Sequence, residues 1–249
     1  MVVWFYTSFG WTEIKFDTFL QKILPNSTII RRGRYYNKGA KPTIQAGQDG
    51  VSGIALLKHA ITDVKKAIED KNLVEPDMFI FSDDTDCKIS LENGVYIYHD
   101  QEYKKKLEEL VKEYNKNLPE TKMVFLFASS EIETWFLADS NNTFEKAYPQ
   151  ISPFTHKLNV FCSNKIFPIN KLESFSLYDE KNSSCRIKIS EHCIQKFVKS
   201  FPDSNYSKRI QGQDFITLLD PQSLLNLTDF FNPAYDAIIH NRDFIPITT

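Results

Sequence analysis

The sequence predicts an α/β protein built on a mostly parallel, four-stranded sheet flanked by helices, followed by a smaller mixed extension. Two observations carry that expectation. Short, unbroken apolar runs ("VVWFYT", "DMFIFS", "KMVFLFA") have the composition of strands covered on both faces. Between them lie longer segments whose apolar residues recur at helical spacing. The alternation β-α-β-α-β-α-β-α over roughly the first 148 residues is the pattern of a parallel sheet with helices on both faces.

Each element follows in turn. Val2–Thr7 reads as the first strand. In "GWTEIKFDTFLQKIL" the residues Ile14, Phe16, Phe19, Leu20 and Ile23 mark a helix, with Thr12 as cap and Pro25 as its end. "STIIRRGRYY" is the second strand, and the stretch up to Gly53 reads as a long loop. Ile54–Asp70 carries Ile54, Leu57, Ile61, Val64 and Ile68 on one face of a helix. The third strand is "DMFIFS". "DQEYKKKLEELVKEYNK" is a second clear amphipathic helix, with Tyr103, Leu107, Leu110, Val111 and Tyr114 aligned. After the fourth strand, "SSEIETWFLAD" opens a helix, with Ser129 or Ser130 as cap and glutamates in the first turn. Past Gln150 the periodicity fades. "SEHCIQKFVKSF" is a helix with Ser190 as cap, and "PQSLLNLTDFFNPAYDAIIH" holds one or two more. Residues 1–150 are therefore expected to form one domain, and 151–249 an extension of loops and helices.

Composition narrows the function classes. A chain of 249 residues can bury a core without disulfides or a structural metal. Its formal net charge of −2 gives no bulk attraction to nucleic acid, so any such contact must be a local patch. No apolar run approaches the roughly 18–20 residues of a membrane span, and the N-terminus lacks the pattern of a signal peptide. The 4 cysteines are scattered without a C-x-x-C pair, which argues against zinc and for a reduced, cytoplasmic protein. The five histidines are too dispersed to suggest a metal site, and neither a nucleophile elbow nor a P-loop is present.

The chemistry-bearing feature is acidic. "MFIFSDDTDCK" runs from a buried strand directly into Asp83, Asp84 and Asp86. Sites in parallel sheets form beyond the carboxyl ends of the strands. Glu13, Glu131 and Glu133 are expected at that same edge. In an extended chain Asp84 and Asp86 would point the same way. A Mg²⁺ ion takes a few carboxylate oxygens and keeps several waters, and it would relieve the mutual repulsion. The bland alternative is a solvated acidic turn that caps local backbone groups. Glu131 and Glu133 could equally be first-turn helix carboxylates; Glu133 is favoured for the site and Glu131 is left open. Trp135 is assigned to core packing.

A basic run, Arg31, Arg32, Arg34, Lys38 and Lys41 with Tyr35 and Tyr36, follows the second strand. It suits a nucleic-acid backbone; a solvated loop or a countercharge for the acidic edge are the other readings. Lys208 and Arg209 form a weaker basic pair.

Three blocks, "WTEIKFDTFLQKIL", "FIFSDDTDC" and "SSEIETWFLAD", resemble the signature segments of a Toprim-like family of bacterial proteins related to RloB and to OLD-type nuclease Toprim domains. The C-terminal "YSKRIQGQDFITLLDPQSLLNLTDFFNPAYDAI" is similar to that family's closing segment. The resemblance leaves about 152–190 unmatched. It departs at the first turn, where "SFGWTE" replaces the usual Glu-Gly, and at the extra Asp83, which leaves the metal pair open between Asp83/Asp86 and Asp84/Asp86. It implies a Mg²⁺ (or Mn²⁺) site using Glu13, Asp84 and Asp86 with Asp83 nearby, and a catalytic role for Glu13, Asp84, Asp86 and Glu133. The implied activity is that of a phage-defence nuclease cutting DNA or RNA beside an ABC/OLD-like ATPase. The alternative is a non-catalytic Toprim-shaped subunit that docks on such an ATPase or senses a phage component; a phosphatase or nucleotide hydrolase using the same carboxylates ranks below both.

Overall fold

The computed structural model describes residues 1–8, 15–32, 53–67, 74–163 and 171–247. Glu13, Arg34, Lys38 and Lys41, all singled out above, lie outside these residues, as does the predicted cap Thr12. The first half runs β1 (Val2–Thr7), α1 (Phe16–Ile23), β2 (Thr28–Arg31), α2 (Ile54–Ala67) and β3 (Met78–Ser82). It continues through β4 (Ile89–Glu92), β5 (Val95–Tyr98), α3 (Gln101–Asn117), β6 (Lys122–Phe125), α4 (Glu133–Ala138) and α5 (Phe144–Ala147). The remainder holds α6 (Phe154–Ser163), β7 (Tyr178–Asp179), β8 (Ser184–Cys185), α7 (Gln195–Val198), α8 (Lys208–Leu218) and α9 (Phe231–Ile239).

The principal sheet has the order β2-β1-β3-β6 and every pairing in it is parallel. The protein is thus α/β, with the sheet the sequence predicts. The inner strands β1 and β3 are apolar almost throughout because both their faces are covered, whereas the edge strand β2 is only partly buried. Val3, Phe5, Met78, Ile80 and Val124 point into one core with α1, α4, α6, α8 and α9. Trp4, Tyr6, Phe79, Phe81 and Phe125 point into the other, with α2 and α3. Each of these strand side chains is essentially inaccessible. Burying a side chain of this size contributes about 1.5–3 kcal/mol before conformational entropy is subtracted. The first core contains Val3 and Phe136 together with Phe154, Ile189, Phe215 and Phe231, so it continues without interruption across residue 150. The outer side of β6 is closed by Phe244, whose N–H and C=O both bond to β6 (2.9 and 3.0 Å). No helix among the described residues is long and apolar enough to cross a membrane.

Three local features differ from the sequence reading. The segment between β3 and α3 is an antiparallel hairpin, β4–β5, turned by Asn93 and Gly94, both with positive φ (52° and 79°). Asn-Gly between short apolar runs is a type I′ hairpin signal, and it was present in "LENGVY". The fourth helix starts at Glu133, and neither Ser129 nor Ser130 caps it: the Ser129 hydroxyl donates instead to the Glu173 carbonyl (2.7 Å). Ser190 also caps nothing; it lies within a π-helical turn, Ile189–Ile194, preceded by Lys188.

The cysteines require a further correction. Cys87 and Cys185, separated by 98 residues in sequence, form a disulfide, while Cys162 and Cys193 remain buried thiols. The expectation of a fully reduced chain rested on the absence of a short-range pair. This bridge is made by tertiary proximity, joining the turn after β3 to the small antiparallel ladder β7–β8.

Candidate functional site at the strand ends

The acidic turn leaves the sheet at the carboxyl end of β3. Asp83 comes first and turns inward. Its carboxylate is fully buried and accepts from the Ser8 hydroxyl, from Tyr103 Oη (2.9 Å) and from the Gly53 N–H (3.1 Å). Burial pushes its pKa up to about 6, against the lowering influence of Lys88, Ser8 and Tyr103. Asp83 therefore ties the ends of β1 and β3 to α2 and α3, and both its oxygens are engaged by the protein.

Asp84 faces the opposite way. Its backbone forms an isolated parallel bridge with Ala128, three residues beyond the last β3–β6 pair and in the same register. Oδ1 accepts from the Ile132 N–H (2.7 Å), performing the capping that the local serines do not, and Oδ2 accepts from Lys208 Nζ (2.9 Å). Burial raises its pKa to about 8; Lys208 opposes the rise, and Glu133 and Asp86 add to it.

Asp86 does not continue an extended strand. Asp86 and Cys87 both have left-handed backbone (φ 46° and 61°), and the Asp86 N–H is held by the Ser130 carbonyl (2.9 Å). The turn swings its carboxylate to Lys88 Nζ (3.2 Å) and Lys188 Nζ (4.0 Å). Asp84 and Asp86 thus reach different lysines, and their proximity comes from a turn rather than from strand alternation.

Glu131 and Glu133 arrive from the other side. Glu131 accepts from both the N–H and the hydroxyl of Ser190 (3.1 and 2.8 Å). Burial and the neighbouring Glu133 lift its pKa to about 7. Glu133, the first residue of α4, is completely buried. Its Oε1 accepts from Tyr206 Oη (3.0 Å), whereas Oε2 has no hydrogen bond and lies 3.4 Å from Lys208 Nζ. The Lys208 ammonium, carried on the first residue of α8, sits between Asp84 and Glu133. Burial alone would lower its pKa, but Asp84, Glu133 and Glu131 hold it above its ordinary value.

Tyr206, Lys88 and Lys188 are missed from sequence; Lys208 is named only as half of a weak basic pair and Ser190 only as a helix cap, not as partners of the carboxylates. Tyr206 and Lys208 stand in the Tyr-x-Lys stretch of the closing segment, the one signal that could have placed them. The basic run divides. Arg31 is exposed on the edge strand β2. Arg32 grips Asp63 of α2 through Nε and Nη2 (3.1 and 3.2 Å) and lies 4.4 Å above the Trp4 ring. It serves as a countercharge, but to Asp63 rather than to the strand-end cluster.

The cluster carries more negative than positive charge: Asp83, Asp84, Asp86, Glu131 and Glu133 face Lys88, Lys188 and Lys208. Such an excess is relieved by taking up protons or by a cation; burial first, and neighbouring carboxylates second, raise Asp83, Asp84 and Glu131 toward the protonated form. Hard oxygen donors suit Mg²⁺ or Mn²⁺, and Mg²⁺ commonly uses one or two carboxylates plus waters. Asp84, Asp86 and Glu133 fit that habit, with the unbonded Oε2 of Glu133 as the clearest open donor. Asp83 does not fit, since both its oxygens are taken by buried donors; Asp84 accepts from Ile132 and Lys208, so its Oδ2 becomes a ligand only where the ion displaces the Lys208 ammonium. Among the described residues no group of three or more His, Cys, Asp or Glu side chains is arranged to hold an ion. Lys208 occupies the point that Asp84 and Glu133 share.

Comparison of the chain with protein-family models, with curated proteins and with solved structures found no match.

Proposed function

We propose that this protein is a divalent-metal-dependent phosphodiesterase of Toprim type that cuts nucleic acid. The observation that carries the reading is the meeting of Asp84, from the end of β3, with Glu133, from the junction after β6, on one ammonium group at the carboxyl edge of a parallel sheet. Asp84, Asp86 and Glu133 would hold Mg²⁺ or Mn²⁺. An ion held by these residues would supply Lewis-acid chemistry, polarising a phosphate and lowering the pKa of a water. Lys208 sets the spacing of Asp84 and Glu133, and Tyr206 orients the latter. Lys188, partly exposed beside Asp86, would attract the phosphate backbone of a DNA or RNA strand, with Lys88 behind it paired to Asp86. By the sequence resemblance, the work is done in the cytoplasm, in phage defence beside an ABC/OLD-like ATPase. In that compartment the Cys87–Cys185 bridge would be open to reduction.

The test is incubation of the protein with DNA and with RNA in Mg²⁺, alongside an Asp84→Ala/Asp86→Ala double variant. Cleavage by the wild type that is lost in the double variant is the expected result; cleavage that survives the double variant removes this site. One observation favours a second reading, a non-catalytic subunit docking on the ATPase. The Lys208 ion pairs already satisfy Asp84 and much of Glu133 without a metal. Calorimetry with Mn²⁺ separates the two, since the docking subunit would show no binding heat.

A further inference from the structure

Beside the acidic turn a cleft of about 470 Å³ opens between the start of α3 and the β7–β8 ladder. Its floor is Lys88, whose ammonium bonds Asp86 Oδ2 at 3.2 Å, so the cleft adjoins the site just described. One wall carries His99, fixed by a contact of 2.9 Å between its Nε2 and Ser90 Oγ, and the other carries Tyr178. The two rings lie nearly parallel, 17° apart in plane with centroids separated by 5.8 Å. The stacked pair brings aromatic ring surface to the cleft. Glu102 and Glu180 are exposed at the rim.

The walls come from distant parts of the chain and are fastened together. Cys87, next to the floor residue Lys88, is bridged to Cys185, and Cys185 pairs with Tyr178 in the ladder. The chemistry is segregated. Aromatic ring surface can stack on any base. Carboxylates accept from exocyclic amino groups but repel phosphate. A nucleotide entering the cleft would keep its phosphate away from Glu102 and Glu180 and toward Lys88. A base already paired in a duplex has its Watson–Crick edge occupied and both faces stacked on its neighbours, so it has no free face to offer the aromatic pair.

We propose that this cleft is a nucleobase subsite that takes one unpaired, amino-bearing base of a single strand, stacked on His99 and Tyr178 with its amino group toward Glu102 or Glu180. The proposal rests on the phosphodiesterase reading for its substrate class, and it assigns the single strand and the base type.

The test is binding without cleavage. Fluorescence anisotropy in EDTA is measured for labelled single-stranded oligo-dA, oligo-dC, oligo-dT and a fully abasic oligomer of the same length. Wild-type protein is expected to bind dA and dC more tightly than dT, and the abasic oligomer weakest. Tyr178→Ala and His99→Ala should each weaken dA binding about tenfold, in line with base–aromatic stacking, and Tyr178→Phe should bind as wild type. Thermal melting of each variant confirms that it is folded, and the abasic comparison needs no variant. Equal binding of the abasic oligomer and dA, equal binding of dT and dA, or unweakened binding by the alanine variants would overturn the proposal. Base-dependent binding without hydrolysis in Mg²⁺ would leave the subsite standing and remove the phosphodiesterase.

Discussion

Replacing Lys208 with Met keeps an unbranched apolar stem, one heavy atom shorter, and removes the ammonium with its charge and its hydrogen bond to Asp84. In the folded protein this leaves Asp84 and Glu133 facing each other without their shared cation. Removing one partner of a buried ion pair costs about 3–5 kcal/mol. Here Lys208 is 27% exposed, Asp84 14% and Glu133 0%, which places the loss near the lower end. A destabilisation of about 3 kcal/mol lowers Tm by about 6–12 °C in a chain of this size. The loss should grow with pH. Asp84 already has a folded pKa raised to about 8 from an ordinary 3.8, so its protonated form favours folding, and that stability is lost as pH rises through 8. Without Lys208 the carboxyl is raised further and the variant loses more. Circular dichroism melts at pH 6 and pH 8.5 measure both effects, and added Mg²⁺ should recover part of the deficit at the higher pH. A variant melting within about 2 °C of wild type at pH 8.5, well inside the shift expected for a broken buried pair, would refute the electrostatic account of the cluster. So would a deficit that does not change with pH.

Other expectations follow from the same structure. Glu173 accepts the N–H groups of Asp229, Phe230 and Phe231 at the start of α9 (2.7, 3.2 and 3.2 Å). Glu173→Ala leaves these donors unpaired and should cost about 2–4 kcal/mol in urea unfolding. Burial raises the Glu173 pKa to about 7, against the lowering influence of those N–H groups. The stability of its protonated form is full below about 4.5 and lost as pH rises through 7, a contribution of roughly 3 kcal/mol. A Glu173→Gln variant should flatten the pH dependence of unfolding in that window. Cys185→Ser opens a covalent loop spanning 98 residues of sequence separation, and should lose about 2–4 kcal/mol. A reductant should lower the Tm of wild type by a comparable amount and leave Cys185→Ser unchanged.

The sheet was legible in the sequence because its signal is local. Val2–Thr7 and Met78–Ser82 are apolar at every buried position but one or two, and a strand covered on both faces must be so. The helices α2 and α3 carry their apolar stripes in the chain, and Asp100 caps α3 with its side chain on the Tyr103 N–H (2.9 Å). The acidic residues after β3 and β6 were legible for the same reason, since strand order and direction place them at one edge. Their division of labour was not. Asp83, Asp84 and Asp86 are near neighbours in sequence, yet one is locked inward by Ser8, Gly53 and Tyr103, one caps the entry to α4 and pairs with Lys208, and one turns out to Lys88 and Lys188.

What the sequence by itself determined is therefore the parallel sheet and the edge at which its carboxylates gather, because periodicity and strand ends are properties of short segments. Tertiary structure alone decided the partners. Lys208 lies 124 residues from Asp84, Ser190 lies 59 from Glu131, and Cys185 lies 98 from Cys87. Charge and hydrogen-bond satisfaction are settled by distance in space, and a buried carboxylate takes whichever donor the packed chain brings within about 3 Å.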